Sequence, residues 1–194
     1  MELIGGASLR HFIVPTNIDE ARNEGESPYN YVERLSSGKA HTANAMLDML
    51  RNADPSKDWK ADLVVAADTI AEIDGEILGK PRDVGDAKQM LAKLQGRTHQ
   101  ILTGICVLDT STTDSRTVVV NSNVTFAEMT EEEIEWYVEE FRPLTYAGGY
   151  EMNSISSWFI KSITGSPSNV RGLPMNTLKE LMGELGHVWS HYVI

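Results

Sequence analysis

The sequence has little of what several protein classes need. Basic residues are in deficit: 17 Lys and Arg against 28 Asp and Glu leave a formal net charge of -11. General binding to a nucleic-acid polymer or to an anionic membrane, both of which are held by surplus Lys and Arg, is therefore not expected. Cysteine is nearly absent. The single Cys106 cannot close an intramolecular disulfide, and its flanks Ile105 and Val107 read as a buried strand, which suits a reducing compartment. No stretch approaches the roughly 20 apolar residues of a membrane span. The opening MELIGGASLRHF has no basic flank followed by an extended apolar core, so no secretion signal is expected either. Internal repeats and low-complexity tracts are missing, as is the GxxxxGK[ST] of a phosphate-binding P-loop. What remains is the expectation of a cytoplasmic enzyme, whose 194 residues are enough for one well-filled core and short for two.

The stretch from Val64 to Gly104, VVAADTIAEIDGEILGKPRDVGDAKQMLAKLQGRTHQILTG, organises the rest. Small and β-branched residues from Leu63 to Ala67 end on Asp68-Thr69, alternation resumes through Ile70 to Ile73, and Asp74-Gly75 reads as a hairpin turn. After Ile77-Leu78 comes Gly79-Lys80-Pro81, where Pro stops the extended run and Lys supplies a cation. An acid delivered by a strand and a lysine delivered by a turn can thus face one cleft.

ADT, DGEILGKP, DAKQMLAKLQGRTH and LTG, in that order, resemble the core signature of the Maf family of nucleoside triphosphate pyrophosphatases. The resemblance implies a single α/β domain over 1–194, a mixed twisted sheet flanked by helices around a central cleft. It also implies hydrolysis of a nucleoside triphosphate to the monophosphate and pyrophosphate with a divalent metal (Mg, Mn or Co), in a homodimer.

Along the chain, Met1 to Ile4 reads as the tail of a short helix and Leu9 to Val14 as a strand before Pro15. Thr16-Asn17-Ile18-Asp19-Glu20 and the loop ARNEGESP follow, and Glu20 stands where the family has an acid of the active cleft. Ser27-Pro28 opens a helix to about Leu50, with Ser as N-cap and Tyr31, Leu35, Ala43, Met46, Leu47 and Leu50 on an uneven apolar face. Within it ERLSSGKA resembles the family's RLA-x-x-KA, which puts Lys39 on the cleft lysine. Gly38 beside it weakens the helix by roughly 1 kcal/mol relative to Ala. The polar run 52–60 reads as a surface loop. A helix over Asp83 to Leu94, strands over Gln100 to Leu108 and Thr117 to Phe126, and a Thr130/Glu133 capping box for a helix from Glu131 to Glu140 complete the middle. Trp158 to Ile163 reads as a strand and Leu178 to Leu185 as a helix. The tail HVWSHYVI carries no interpretable pattern.

Two departures from the family stand out. Where many members read GIQG, this chain has Glu151-Met152-Asn153-Ser154, so Asn153 replaces a glutamine linked to base recognition with an amide one methylene shorter. The family's opening LAS-x-SPRR, whose two arginines bind phosphates, has no counterpart, so the chain reads as truncated at its N-terminus relative to the family.

On the resemblance, Asp68 is the general base or a metal-held acid, Glu20 helps to hold the metal, Lys39 and Lys80 neutralise phosphate, and Thr69 and Asn153 touch base or sugar. The ADT sequence and the amide point to dTTP or UTP, with 7-methyl-GTP as the alternative substrate. The missing loop and the altered EMNS segment leave open an inactive member serving as a regulatory or dimerisation module.

Overall fold

The computed structural model describes Leu9 and residues 11–54, 56, 59–152 and 155–193. Helix α1 spans Pro28–Ala53 and is followed by strands β1 (Leu63–Ile73) and β2 (Glu76–Leu78), then helix α2 (Val84–Leu94). The long strands β3 (Thr98–Asp109) and β4 (Ser115–Phe126) come next, then α3 (Glu131–Phe141), β5 (Ile160–Thr164), the single turn α4 (Pro167–Val170) and α5 (Met175–Glu184). The strands form one five-stranded sheet in the order β2-β1-β3-β4-β5, antiparallel where a mixed sheet is expected, and the α/β class stands.

By contact the chain divides into two compact units. The first comprises Met1–Asp68, Gly104–Val120 and Leu173–Ile194. On one face of its strands, Leu63, Val65 and Ala67 of β1 alternate inward with Ile105 and Val107 of β3, and α5 covers them with Leu178, Leu181 and Met182. Period-two alternation puts Asp68 of β1 and Gly104 of β3 on the other face, where α1 lies. A Cβ at Gly104 would stand 2.1 Å from the Val32 carbonyl oxygen, so glycine is what lets the helix come this close to the strand.

The second unit comprises Thr69–Thr103 and Asn121–Gly172. Ala71, Ile73, Leu78, Ile101, Val124 and Phe126 of its strands are buried with Ala87, Leu91 and Leu94 of α2 and Ile134, Tyr137 and Val138 of α3. The β1–β2 hairpin turns at Asp74 (φ 55) and Gly75 (φ 82), two left-handed residues in succession, as a two-residue hairpin of right-twisted strands requires. Asp83 caps α2 by accepting from the Asp86 N–H, and Thr130 and Glu133 form the expected capping box of α3.

Three local expectations change. Among the described residues, the strand expected over Leu9 to Val14 leaves a bridge between Leu9 and Val193, and 11–22 are without regular structure. β1 does not end at Asp68-Thr69 but runs unbroken from Leu63 to Ile73, so the polar pair sits inside the strand. Helix α1 continues through Asn52 and Ala53, taking the start of the expected loop. Met1 to Ile4 lie outside the described residues. The tail acquires a role: His187 bonds the Asp109 carboxylate through Nε2 at 2.8 Å and the Tyr192 hydroxyl through Nδ1 at 2.6 Å, fastening the last residues to the end of β3. Among the described residues, no helix is long and apolar enough to cross a membrane.

Candidate active site

Three of the residues singled out from sequence meet in the first unit. Lys39 Nζ lies 2.5 Å from Asp68 Oδ1 and 2.8 Å from Glu20 Oε1. Each comes from a different piece of chain: Lys39 from the middle of α1, Asp68 from inside β1, Glu20 from the irregular segment that crosses α1 beside Gly38, where Ile18 lies against the helix. The Asp68 and Lys39 side chains are largely shielded, at 14% and 20% exposure, whereas Glu20 is 56% exposed. The cluster therefore has a shielded floor and an open acidic rim.

Burial pulls the Lys39 ammonium down, but its hydrogen bonds to Asp68 and Glu20 outweigh that and hold it above its ordinary value. It stays charged. Tyr31, about two helical turns back along α1, is pushed up, first by burial and then by the negative field of Asp68 and Glu20. Two carboxylates around one ammonium leave one net negative charge, a donor set that suits a hard cation with several ligand positions filled by substrate phosphate. No group of three or more acidic, histidine or cysteine side chains able to hold a metal by itself occurs among the described residues.

The segment bearing Glu20 is gripped by residues that sequence reading left aside. Tyr31 Oη donates to the Glu20 carbonyl at 2.9 Å, and Arg34 Nη2 donates to the Ala21 carbonyl at 2.9 Å. Arg34 also forks onto Glu26, with Nε to Oε1 at 2.7 Å and Nη2 to Oε2 at 2.9 Å. The Arg34 hydrogen bond draws the Glu26 carboxyl down to about 2. In sequence Tyr31 falls on the apolar face of α1, and only its position inside GESPYNYVERL, next to the loop it holds, signals this role.

Of the other expected site residues, Thr69 and Lys80 lie in the second unit. Thr69 follows Asp68 on β1 and so points to the opposite face, where its hydroxyl is 2.9 Å from that of Thr103, which donates in turn to the Asn169 carbonyl at 3.4 Å. Gly172 packs against Thr69 Oγ1. Lys80 is exposed just beyond β2. Asn153 lies outside the described residues.

A family model described as Maf-like protein matches residues 1–185, across both units. The chain is 37% identical over 174 residues to the dTTP/UTP pyrophosphatase of Syntrophus aciditrophicus (strain SB), covering 90% of this chain and 79% of that protein. It is 37% identical over 189 residues to that of Anaeromyxobacter sp. (strain Fw109-5), covering 96% and 84%. To that of Neisseria meningitidis serogroup B (strain ATCC BAA-335 / MC58) it is 35% identical over 187 residues, covering 96% and 89%.

Proposed function

The chain belongs to the Maf-like protein family, and from that premise we propose that it is a nucleoside triphosphate pyrophosphatase that hydrolyses dTTP and UTP. Water adds to phosphorus at the α–β anhydride, the bridging P–O bond breaks, and the products are the nucleoside monophosphate and pyrophosphate. The observation that carries this reading is the bridge of Lys39 between Asp68 and Glu20.

Attack on an anionic phosphorus needs both charge neutralisation and a group to take the proton of water. In the free protein Lys39 supplies its charge to two carboxylates. An incoming triphosphate competes for that ammonium, and whatever Lys39 gives to phosphate it withdraws from Asp68. Asp68, less tightly paired, is then free to accept the proton of the attacking water from its shielded position. Glu20 and Asp68 are the residues that would hold a divalent Mg, Mn or Co ion, whose bound form supplies Lewis-acid polarisation of phosphate oxygen and a more acidic water. By resemblance Lys80 is assigned to phosphate, and Thr69 and Asn153 to base or sugar. The same resemblance supports a homodimer in the cytoplasm, for which sedimentation of the purified protein is the measurement.

The test is pyrophosphate release from a panel of triphosphates, 7-methyl-GTP included, with Mg²⁺ or Mn²⁺. Turnover of dTTP and UTP is expected, with a loss of at least about a hundredfold in Asp68→Asn, the scale of a removed general base. Absence of turnover on every triphosphate overturns the enzyme and favours the regulatory or dimerisation module.

A further inference from the structure

The grip on the Glu20 segment has more parts than a surface loop needs. Residues 11–22 have no regular structure, and Glu20 is the most exposed member of the charged cluster, yet its carboxylate stands 2.8 Å from Lys39. Its neighbourhood is held at both consecutive carbonyls: Tyr31 donates to that of Glu20 and Arg34 to that of Ala21. Tyr31 and Arg34 are three apart on α1 and so share a face, and the Arg34 guanidinium sits 5.6 Å from the Tyr31 ring centroid.

Arg34 is itself held. Its fork on Glu26 fixes the plane of the guanidinium, and Glu26 is tied down by accepting from the Asn23 N–H at 3.0 Å, while Arg22 donates back to the Glu26 carbonyl. The Glu26 side chain is only 8% exposed, while that of Arg34 is 35% exposed. Segment, fork and helix make a closed loop of contacts from 20 to 34, and α1 then carries the constraint on to Lys39.

From this geometry we infer that Arg34, oriented by Glu26 and assisted by Tyr31, is a positioning residue that sets the Glu20 carboxylate opposite Lys39 for catalysis. The inference rests on the enzymatic reading above. A carboxylate on an irregular segment is useful only if its geometry is fixed before substrate arrives, and a planar fork does this where a flexible ammonium does not.

The experiment is a double-mutant cycle with an independent structural readout. Arg34→Lys keeps the charge and loses the fork; Tyr31→Phe removes one hydroxyl and guards against a variant that fails to fold. Each should lower kcat for the preferred triphosphate, by about tenfold for Arg34→Lys, with KM within about twofold and the half-saturating Mn²⁺ concentration raised. In a Glu20→Gln background Arg34→Lys should cost less than about twofold more, because the carboxylate it positions is gone. Amide exchange in peptides covering 19–26 should accelerate in Arg34→Lys while α1 stays protected. Additive losses in the cycle, or unchanged exchange in 19–26, overturn the inference. A wild-type chain without turnover overturns the enzymatic reading instead, and exchange still decides whether Arg34 holds the segment.

Discussion

His99 shows how one side chain ties the stability of its unit to pH. It is 2% exposed, its Nε2 lies 2.8 Å from the Tyr150 hydroxyl, and its Nδ1 has no hydrogen-bond partner among the described residues. A neutral ring that donates from Nε2 leaves only a lone pair unmatched at Nδ1; protonation would add a buried N–H with nothing to accept it. Burial accordingly lowers its pKa from 6.5 to about 4. The unfolded chain therefore binds the extra proton first. The contribution of neutral His99 is complete above pH 6.5 and is lost as pH falls towards 4, about 3 kcal/mol in all. Urea unfolding at stepped pH should show this slope in the wild type and a flatter one in His99→Gln, which can still donate to Tyr150 but cannot titrate. Equal slopes would show that His99 is not the group responsible. Further down the scale comes Glu26, depressed from 4.5 to about 2, whose pairing with Arg34 persists until pH falls through that lower value.

At the scale of elements, the position of Lys39 depends on how α1 lies against β3. The contact is set at Gly104, where an added Cβ would meet the Val32 carbonyl oxygen at 2.1 Å and its carbon at 2.5 Å. Both are backbone atoms and cannot rotate away. Gly104→Ala should therefore destabilise the protein by about 2–3 kcal/mol, the range of core overpacking, read as a lowered urea midpoint. Turnover should fall further than the loss of folded protein accounts for, because the helix moves with its lysine. An unchanged midpoint would mean that α1 can shift at no cost. Elements with strong caps were legible in sequence for the same local reason that they form: Ser27, Asp83 and Thr130 each close a helix start with a side-chain oxygen. β1 was harder to read. Asp68-Thr69 interrupts the apolar run that marks a buried strand, yet in the sheet the pair only alternates between faces, which composition alone does not reveal.

For the whole molecule, sequence gave access to the family and to the trio Glu20, Lys39 and Asp68, because these stand within ordered motifs. It gave no access to the division into two units. Three of the boundaries, Asp68/Thr69, Thr103/Gly104 and Val120/Asn121, fall inside β1, β3 and β4, where no turn residue or change of period marks them. The tail was equally opaque, since a histidine that joins Asp109 and Tyr192 does so across 78 residues on one side and five on the other.

The bridge between Leu9 and Val193 sets early and late parts of the chain side by side. Leu9 and Val193 can therefore be joined by a short linker at small entropic cost and the chain reopened elsewhere. New ends cut at the exposed Asp74–Gly75 tip should give a circular permutant with native circular dichroism and a cooperative melt. The order in which ribosomes deliver the segments would then be incidental to the shape they reach.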